Sequence, residues 1–294
     1  MKSIIGISAC LLGEKVRYNG EDRLDHYLKY TVSRYVKWLP VCPEVEAGLP
    51  VPREPMVLFG KGGLVRLITV NTGIDLTEKL NKWIKKKLKE LHKLNLSGFV
   101  FKSRSPSCGL SVKIVETNQK TSGLFAHAFK KSFPEIPVTE NETLYDPEER
   151  RNFFERVLMY NAFKKVKTEN QLKDFHLNYR LLFLTRGIEA CKCLDGIINS
   201  SIKDKRALYL KAMNNILSLK AKPENEERVF RLLINELKSH IDSKTEKALL
   251  KMVKDFKREK LSRTYILYVL RHYAELYGIK KLLSEPYLFM SFLN

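Results

Sequence analysis

Residues 3–8, SIIGIS, are a short and almost wholly apolar run that predicts a buried β-strand, and Cys10 follows two positions later. A second short apolar run, WLPV at residues 38–41, leads directly into Cys42. Residues 98–101 predict a third strand, and Cys108 lies in the loop that follows it, at residues 102–109. Each of these predicted strands is therefore followed by a cysteine.

Helical segments alternate with the predicted strands. Apolar side chains recur at helical spacing between residues 75 and 94, where lysines fill the other positions, and residues 124–132 predict a further helix. We also expect strands at residues 112–115 and 136–138. This alternation predicts an α/β domain with a mostly parallel sheet.

The second half of the chain has a different pattern. Residues 139–150, TENETLYDPEER, are polar, contain a proline and lack an apolar period, which predicts a linker that runs into a new helix. Every segment beyond it has helical periodicity, with turns expected at Gly187, Pro223 and Gly278. We therefore expect two domains, an α/β domain at residues 1–145 and an all-α helical bundle at residues 146–294.

The chain is strongly basic, with a formal net charge of +20 over 294 residues. Residues 1–150 contain 24 Lys and Arg against 17 Asp and Glu, whereas residues 151–294 contain 29 against 16. A surface of this charge attracts polyanions, so nucleic acid is the expected partner, and a lysine-rich composition without a ligand is the alternative. No apolar run is long enough to cross a bilayer, and the N-terminus lacks the features of a signal peptide. These patterns predict a cytoplasmic protein with no membrane association, and they imply no protein partner.

The five cysteines do not form the pattern of a disulfide framework, because their number is odd and their spacings are wide. Loops that follow parallel strands converge at one edge of a sheet, so we expect Cys10, Cys42 and Cys108 to share a site. Three thiolates suit zinc or an iron-sulfur cluster, and three separately buried cysteines are the alternative. Cys191 and Cys193 lie two positions apart on a predicted helix, where they face different directions and are poor partners for one metal.

Three segments resemble, in their order and spacing, the thiouracil desulfidase family: ISACLLGEKVRYNG from residue 7, PVCPEVEAGLPVPRE from residue 40 and FKSRSPSCGLS from residue 101. The resemblance implies a 4Fe-4S cluster held by Cys10, Cys42 and Cys108, with one iron free to bind the sulfur of the substrate. Such an iron is a Lewis acid, and water can attack the carbon without net electron transfer. Ala9 departs from the family's pattern, which has a serine before the first cysteine.

The same resemblance implies roles for the residues around the cysteines. A hydrolysis needs a proton carrier, which the family's pattern assigns to Glu46, with Glu44 as the second candidate in a capping or structural role. Without the adjacent cysteine, either would be interpreted as a helix-start carboxylate. Ser105 resembles the substrate-positioning serine, and Lys102 is a further catalytic candidate. Arg17, Ser103 and Arg104 are candidates for substrate binding, although such serines also shape turns and charged loops are commonly only solvated.

The region from about residue 150 resembles, more weakly, the helical domain often fused to this desulfidase domain, mainly through FHLNYRLLFL at residues 175–184. Tyr179 and Arg180 stand where histidine and lysine are expected. The two-domain form is similar to desulfidases acting on 4-thiouridine in transfer RNA, and the single-domain form to those acting on free thiouracil. We therefore expect thiolated transfer RNA as the substrate, with free thiouracil or a non-catalytic RNA-binding protein holding a structural metal as alternatives. One predicted helix carries basic and aromatic side chains that suit RNA contacts, namely Arg263, Tyr265, Tyr268, Arg271, His272 and Tyr273. Tyrosines at this spacing are also typical of a core.

Overall fold

The computed structural model describes residues 2–61 and 64–293, and it divides the chain into two compact units. Unit 1 ends at Asp146, and unit 2 begins at Pro147. The predicted fold class is confirmed, because unit 1 contains an all-parallel sheet and the described part of unit 2 is built from helices. Within the described residues, no helix is both long enough and apolar enough to cross a membrane.

The elements of unit 1 are defined by the following ranges. Its strands in the described residues are β1 (Ser3–Ser8), β2 (Val36–Val41), β3 (Met56–Lys61), β4 (Leu64–Thr69), β5 (Leu96–Phe101), β6 (Val112–Lys113), β7 (Lys120–Thr121) and β8 (Val138–Glu140). Its α-helices are α1 (Pro43–Glu46), α2 (Thr77–His92) and α3 (Leu124–Ser132).

The central sheet has the strand order β2-β1-β5-β8, and all of its neighbouring strands are parallel. The register pairs Ser8 with Val41, and Phe101 with Glu140. The carboxyl ends of these strands therefore lie along one edge of the sheet. The loops that contain the three cysteines of unit 1 leave from that edge, after three adjacent strands.

Some predicted elements of unit 1 differ in the structure. The strand expected at residues 112–115 is reduced to β6, which pairs antiparallel with β7 outside the parallel sheet. The last strand is displaced by two residues, because β8 begins at Val138. The segment at 139–150 runs into a new helix as predicted, since that helix begins at Pro147, but β8 and a 3-10 turn at Thr143–Tyr145 occupy the part that was expected to be a linker. The antiparallel pair β3 and β4 was not predicted.

An aromatic cluster fixes α3 against the sheet. The rings of Phe99 and Phe101 on β5 contact those of Phe125 and Phe129 on α3, with centroid separations between 4.9 and 6.0 Å, and all four side chains are fully buried. Gly6 on β1 lies directly against the ring of Phe99, where a Cβ atom would collide with ring carbons. The strand therefore needs glycine at this position.

Replacing Gly6 by alanine is expected to destabilise unit 1 by about 1–3 kcal/mol, because the new methyl group forces the Phe99 ring or the strand to move. Both tryptophans of the chain lie in unit 1, so urea unfolding followed by tryptophan fluorescence reports this unit. The matched control is Gly196→Ala in unit 2, since a Cβ at Gly196 meets no atom within 4 Å, and its unfolding is followed by circular dichroism because the tryptophans do not report that unit. An unchanged fluorescence midpoint in Gly6→Ala would contradict the close packing of Gly6 against the Phe99 ring.

Unit 2 consists of α4 (Pro147–Phe163), α5 (Glu169–Asn178), α6 (Arg180–Leu184), α7 (Ile188–Asn199), α8 (Lys205–Ser218), α9 (Pro223–Leu237), α10 (Ser243–Lys257), α11 (Arg263–Leu276) and α12 (Lys280–Leu283), followed by a 3-10 segment at Pro286–Leu293. Turns at Gly187 and Gly278, where the backbone has positive φ, separate helices as predicted. Pro223, predicted as a turn, is instead the first residue of α9, where a missing N–H has no cost.

A buried ionic network lies in the interior of unit 2. Glu155 accepts a hydrogen bond from Arg186 at 2.6 Å, and Glu226 is paired with both Arg151 and Arg263, at 3.2 and 3.0 Å. All five side chains are buried. Arg263 is therefore part of the core, and its predicted contact with RNA is wrong. Tyr268, by contrast, is 68% exposed and is not a core residue.

Candidate functional site

A cavity of about 330 Å³ lies at the carboxyl edge of the parallel sheet in unit 1. The loops after β1, β2 and β5 contribute most of its wall. The polar and sulfur-containing side chains on this wall are Ser8, Cys10, Arg17, Tyr18, Cys42, Glu44, Arg53, Met56, Lys102, Ser103, Arg104, Ser105 and Cys108. The structure thus brings the three predicted cysteine ligands together with most of the other predicted site residues.

The three cysteines reach the cavity from different local structures. Cys10 lies on the 3-10 turn Ala9–Leu12, which ends at Gly13 in a left-handed conformation, and Cys42 lies between β2 and α1. All three thiols are free of disulfide bonds. Burial is the main cause that raises the pKa of Cys10 to about 11, and the nearby Cys42 is the second cause. Burial also raises the pKa of Cys42 and of Cys108. Without a metal, these thiols are therefore protonated at neutral pH.

The loop that carries Cys108 is anchored on the first turn of α3. The backbone N–H of Leu124 donates to Pro106 O at 3.2 Å, and the N–H of Phe125 donates to Ser107 O at 2.9 Å. These contacts use N–H groups that a helix start leaves unpaired. A Cβ atom at Gly123 would lie 2.7 Å from Pro106 O, so the helix and the loop meet too closely for any side chain there.

Glu44 is the one carboxylate among the described residues that line the cavity. It is buried, Arg53 donates to its Oε2, and Ser107 Oγ donates to its Oε1 at 2.6 Å. The hydroxyl of Ser107 also lies 3.1 Å from that of Ser105, whose side chain is on the cavity wall. A continuous set of hydrogen bonds therefore connects the buried carboxylate with the cavity.

Glu46, the first candidate for the proton carrier, does not line the cavity. Its Oε1 accepts a hydrogen bond from the backbone N–H of Cys42 at 3.0 Å, and its Oε2 lies 2.8 Å from Lys87 Nζ on α2. In this position Glu46 stabilises the start of the short helix α1 and fixes the backbone of Cys42. The geometry favours Glu44 for chemistry in the cavity and Glu46 for structure.

Positively charged side chains also line the cavity wall. Lys102 is half-buried, and burial lowers its pKa, while its Nζ donates to Ser103 O at 2.7 Å. Arg17 donates to Asp22 O at 3.2 Å. Arg104 adopts φ of 60°, which is unusual for a residue with a side chain, and pairs with Glu142 at 2.8 Å. The cavity is therefore suited to a ligand that carries or develops negative charge.

Several supporting residues were not singled out from the sequence. Ser8 Oγ accepts from the N–H of Lys102 at 2.9 Å and connects the ends of β1 and β5. Asn141 Oδ1 accepts from both the N–H and the hydroxyl of Ser103, which is buried. Ser8 ends a parallel strand and Asn141 directly follows one, and this position could have identified both.

No group of three or more His, Cys, Asp or Glu side chains in the described part of the chain is arranged to hold a single metal ion. A single zinc ion needs its ligands to converge on one point, whereas the cysteines of a cluster bind different irons. In unit 2, Cys191 is buried and Cys193 is exposed, in agreement with the expectation that they face different directions.

The part of the chain that contains the cavity is also the part that matches known proteins. The sequence model of the 2-thiouracil desulfurase family matches residues 5–141. The uncharacterized protein YbbK of Bacillus subtilis (strain 168) is 32% identical over 112 residues, which are 36% of this chain and 73% of YbbK. The chain belongs to the 2-thiouracil desulfurase family. The predicted family resemblance is thereby confirmed.

The chain is also similar to a solved structure and to a second protein family. The solved structure of the [4Fe-4S]-dependent thiouracil desulfidase TudS is 27% identical, and the match covers 50% of this chain and 95% of TudS with a TM-score of 0.40. Residues 181–290 match a family of proteins of unknown function, DUF1722. The chain thus combines a 2-thiouracil desulfurase region with a helical region of the DUF1722 family.

Proposed function

We propose that this protein is an iron-sulfur-dependent desulfidase that converts 4-thiouridine in transfer RNA to uridine by hydrolysis of the C–S bond. The observation that carries the proposal is the cavity of unit 1, which Cys10, Cys42 and Cys108 line together with one buried carboxylate. Membership of the 2-thiouracil desulfurase family supports a thiolated pyrimidine as the group that reacts.

The donor set fits a 4Fe-4S cluster. Thiolates are the ligands that iron-sulfur clusters prefer, and these three come without a fourth cysteine in unit 1. When bound by Cys10, Cys42 and Cys108, a cluster would supply an iron that lacks a protein ligand, which is a Lewis acid for the sulfur of the substrate. Metal analysis that finds zinc without iron or sulfide would instead favour the non-catalytic RNA-binding alternative.

The side chains of the cavity account for the remaining requirements of hydrolysis. The reaction adds the oxygen of water to the pyrimidine carbon and releases hydrosulfide, so protons must move between water, substrate and protein. Glu44 holds or releases a proton at Oε1, and the hydroxyls of Ser107 and Ser105 connect that atom with the cavity. Arg17, Lys102 and Arg104 stabilise negative charge on the substrate or on the leaving sulfur.

The charge of the chain supports transfer RNA over the free base as the proposed substrate. The second half of the chain is the more basic, with 29 Lys and Arg against 16 Asp and Glu in residues 151–294. Such an excess of positive charge does not contribute to binding a free thiouracil, whereas it attracts a phosphate backbone. A thiolated base inside a folded RNA would have to be turned out of its stack to enter the cavity.

Anaerobically reconstituted protein is expected to remove the near-ultraviolet absorption of 4-thiouridine in transfer RNA. We expect a kcat/KM at least about tenfold higher for this RNA than for free 4-thiouracil, because remote contacts contribute binding energy to the reaction. Persistence of the absorption with a full cluster present would reject the transfer RNA substrate. Equal or faster turnover of the free base would favour the free-thiouracil alternative.

A further inference from the structure

Helix α10 carries a row of basic side chains. We define the basic row as Lys244, Lys247, Lys251 and Lys254 on α10, with Arg258 directly after its end. Successive members are three or four positions apart, so they lie on the same face of the helix, and all five are exposed. From Lys244 to Arg258 the row extends over about 21 Å.

The packing of α10 fixes the direction of the row. Leu249 and Val253 are buried, and the ring of Phe256 lies 5.2 Å from that of Phe230 on α9. These apolar positions are on the opposite face of the helix from the row. The basic row is therefore held towards solvent by the contacts that stabilise the helix.

The basic row is not neutralised by the protein. Lys257, outside the row, pairs with Glu227 on α9, and Glu246 of α10 pairs with Lys238. Within the part of the chain that the structure describes, none of the five row members forms an ion pair. Asp255 is the acidic residue that lies beside the row on the surface of α10, and it has no ion pair with the row either.

The row is unfavourable for the isolated helix. Like charges three or four positions apart repel each other, whereas opposite charges at the same spacing stabilise a helix. The neighbouring helices follow the stabilising pattern, with Glu227 and Arg231 paired on α9 and Arg271 and Glu275 paired on α11. A bound polyanion would remove the repulsion along α10.

The chemistry of the row selects among polyanions. A helix that binds a membrane surface inserts exposed apolar side chains, and α10 exposes no large apolar side chain in the described structure. A sugar-phosphate strand carries one charge per about 3.4 Å, so about six phosphates extend along a row of this length. The row therefore suits a nucleic-acid backbone.

We propose that the basic row of α10 binds the phosphate backbone of the transfer RNA substrate. This inference rests on the proposed function, since it names the surface by which unit 2 holds that substrate. The row contributes affinity and makes no contact with the base that reacts. Loss of the row should therefore weaken RNA binding and leave the chemistry of the cavity unchanged.

The test compares two triple variants of the full-length holoenzyme. The row variant is Lys247→Gln/Lys251→Gln/Lys254→Gln, and the control is Lys82→Gln/Lys192→Gln/Lys281→Gln, which removes the same charge from exposed lysines that are ion-paired. Binding to unmodified transfer RNA is measured by fluorescence anisotropy at several salt concentrations. Turnover of free 4-thiouracil and circular dichroism report the cavity and the fold.

The row variant is expected to bind transfer RNA about tenfold or more weakly. The slope of its log binding constant against log salt concentration should be shallower by about two to three, which is near one for each lost phosphate contact. Free-base turnover should not change, and the control should bind like the wild type. Charge reversal at the same three positions should weaken binding further.

Several outcomes would overturn the proposal. Equal RNA affinity of the row variant and the wild type would exclude the row while leaving the proposed function intact. Equal weakening in the control would show that net charge alone is responsible. If the row variant lost binding to vesicles of phosphatidylserine while its RNA binding stayed unchanged, the row would instead be a membrane-binding surface. A wild type that neither binds nor desulfurates transfer RNA would reject the proposed RNA substrate itself, together with this inference.

Discussion

Replacing Cys42 by alanine is expected to abolish both cluster binding and desulfidase activity. Reconstituted wild-type protein should contain about four irons per chain, and the variant should contain little or none, because a cluster with two protein ligands is poorly held. Cys42 is the least buried of the three thiols, so its replacement disturbs the core least. Iron and sulfide analysis measures this effect independently of any substrate.

The matched control is Cys193→Ala, which removes an exposed cysteine of unit 2. This variant should keep its iron content and its turnover of thiolated substrate. Corresponding replacements of Cys10 and Cys108 should resemble Cys42→Ala. A Cys42→Ala protein that retained the iron, sulfide and activity of the wild type would remove this residue from the proposed ligand set.

Glu44→Gln is expected to lower kcat by about 10²- to 10⁴-fold, the usual contribution of a positioned acid or base. Glutamine keeps the shape of the side chain and an acceptor for Ser107, but it cannot carry the proton. Glu46→Gln is the matched comparison, two positions away on the same short helix. It should retain most of the activity, because Glu46 contacts Lys87 and the backbone of Cys42 and does not line the cavity.

Both glutamine variants must be shown to bind iron and sulfide as the wild type does. Glu44 pairs with the buried Arg53, so circular dichroism and a melting curve are needed to exclude unfolding as the cause of lost activity. Ser107→Ala should have a smaller effect in the same direction, since it interrupts the hydrogen bonds between Glu44 and the cavity. An inactive Glu46→Gln beside an active Glu44→Gln would restore Glu46 as the proton carrier.

The pair Glu44 and Glu46 shows why the sequence could not assign every role. Both carboxylates follow Cys42 closely, and local spacing alone allows either to cap α1. Glu44 is held in the cavity by Arg53 and by Ser107, and the second of these is 63 positions away along the chain. Only the folded sheet brings that serine to the carboxylate.

The parallel strands were more accessible to prediction than the rest of unit 1. The apolar runs that become β1 and β5 are buried on both faces of the sheet, and such strands are recognisable without alternation. The strand β6 has only two residues, and it pairs with the equally short β7. This pairing depends on the tertiary structure, so the local sequence contains little pattern that predicts it. Arg263 illustrates the opposite error, because an arginine among tyrosines resembles a surface residue until its partners Glu155 and Glu226 are known.

The position of Cys108 on a loop held by α3 also sets the order of events during synthesis. Cys10 and Cys42 leave the ribosome early, but the loop with the third thiol is fixed only after β5 has paired with β1 and α3 has formed. Pairings so distant in sequence form late in folding. A nascent chain therefore presents no complete cysteine site to iron or to a cluster donor until nearly all of unit 1 has emerged. Maturation of the enzyme is then expected to begin after translation of this unit.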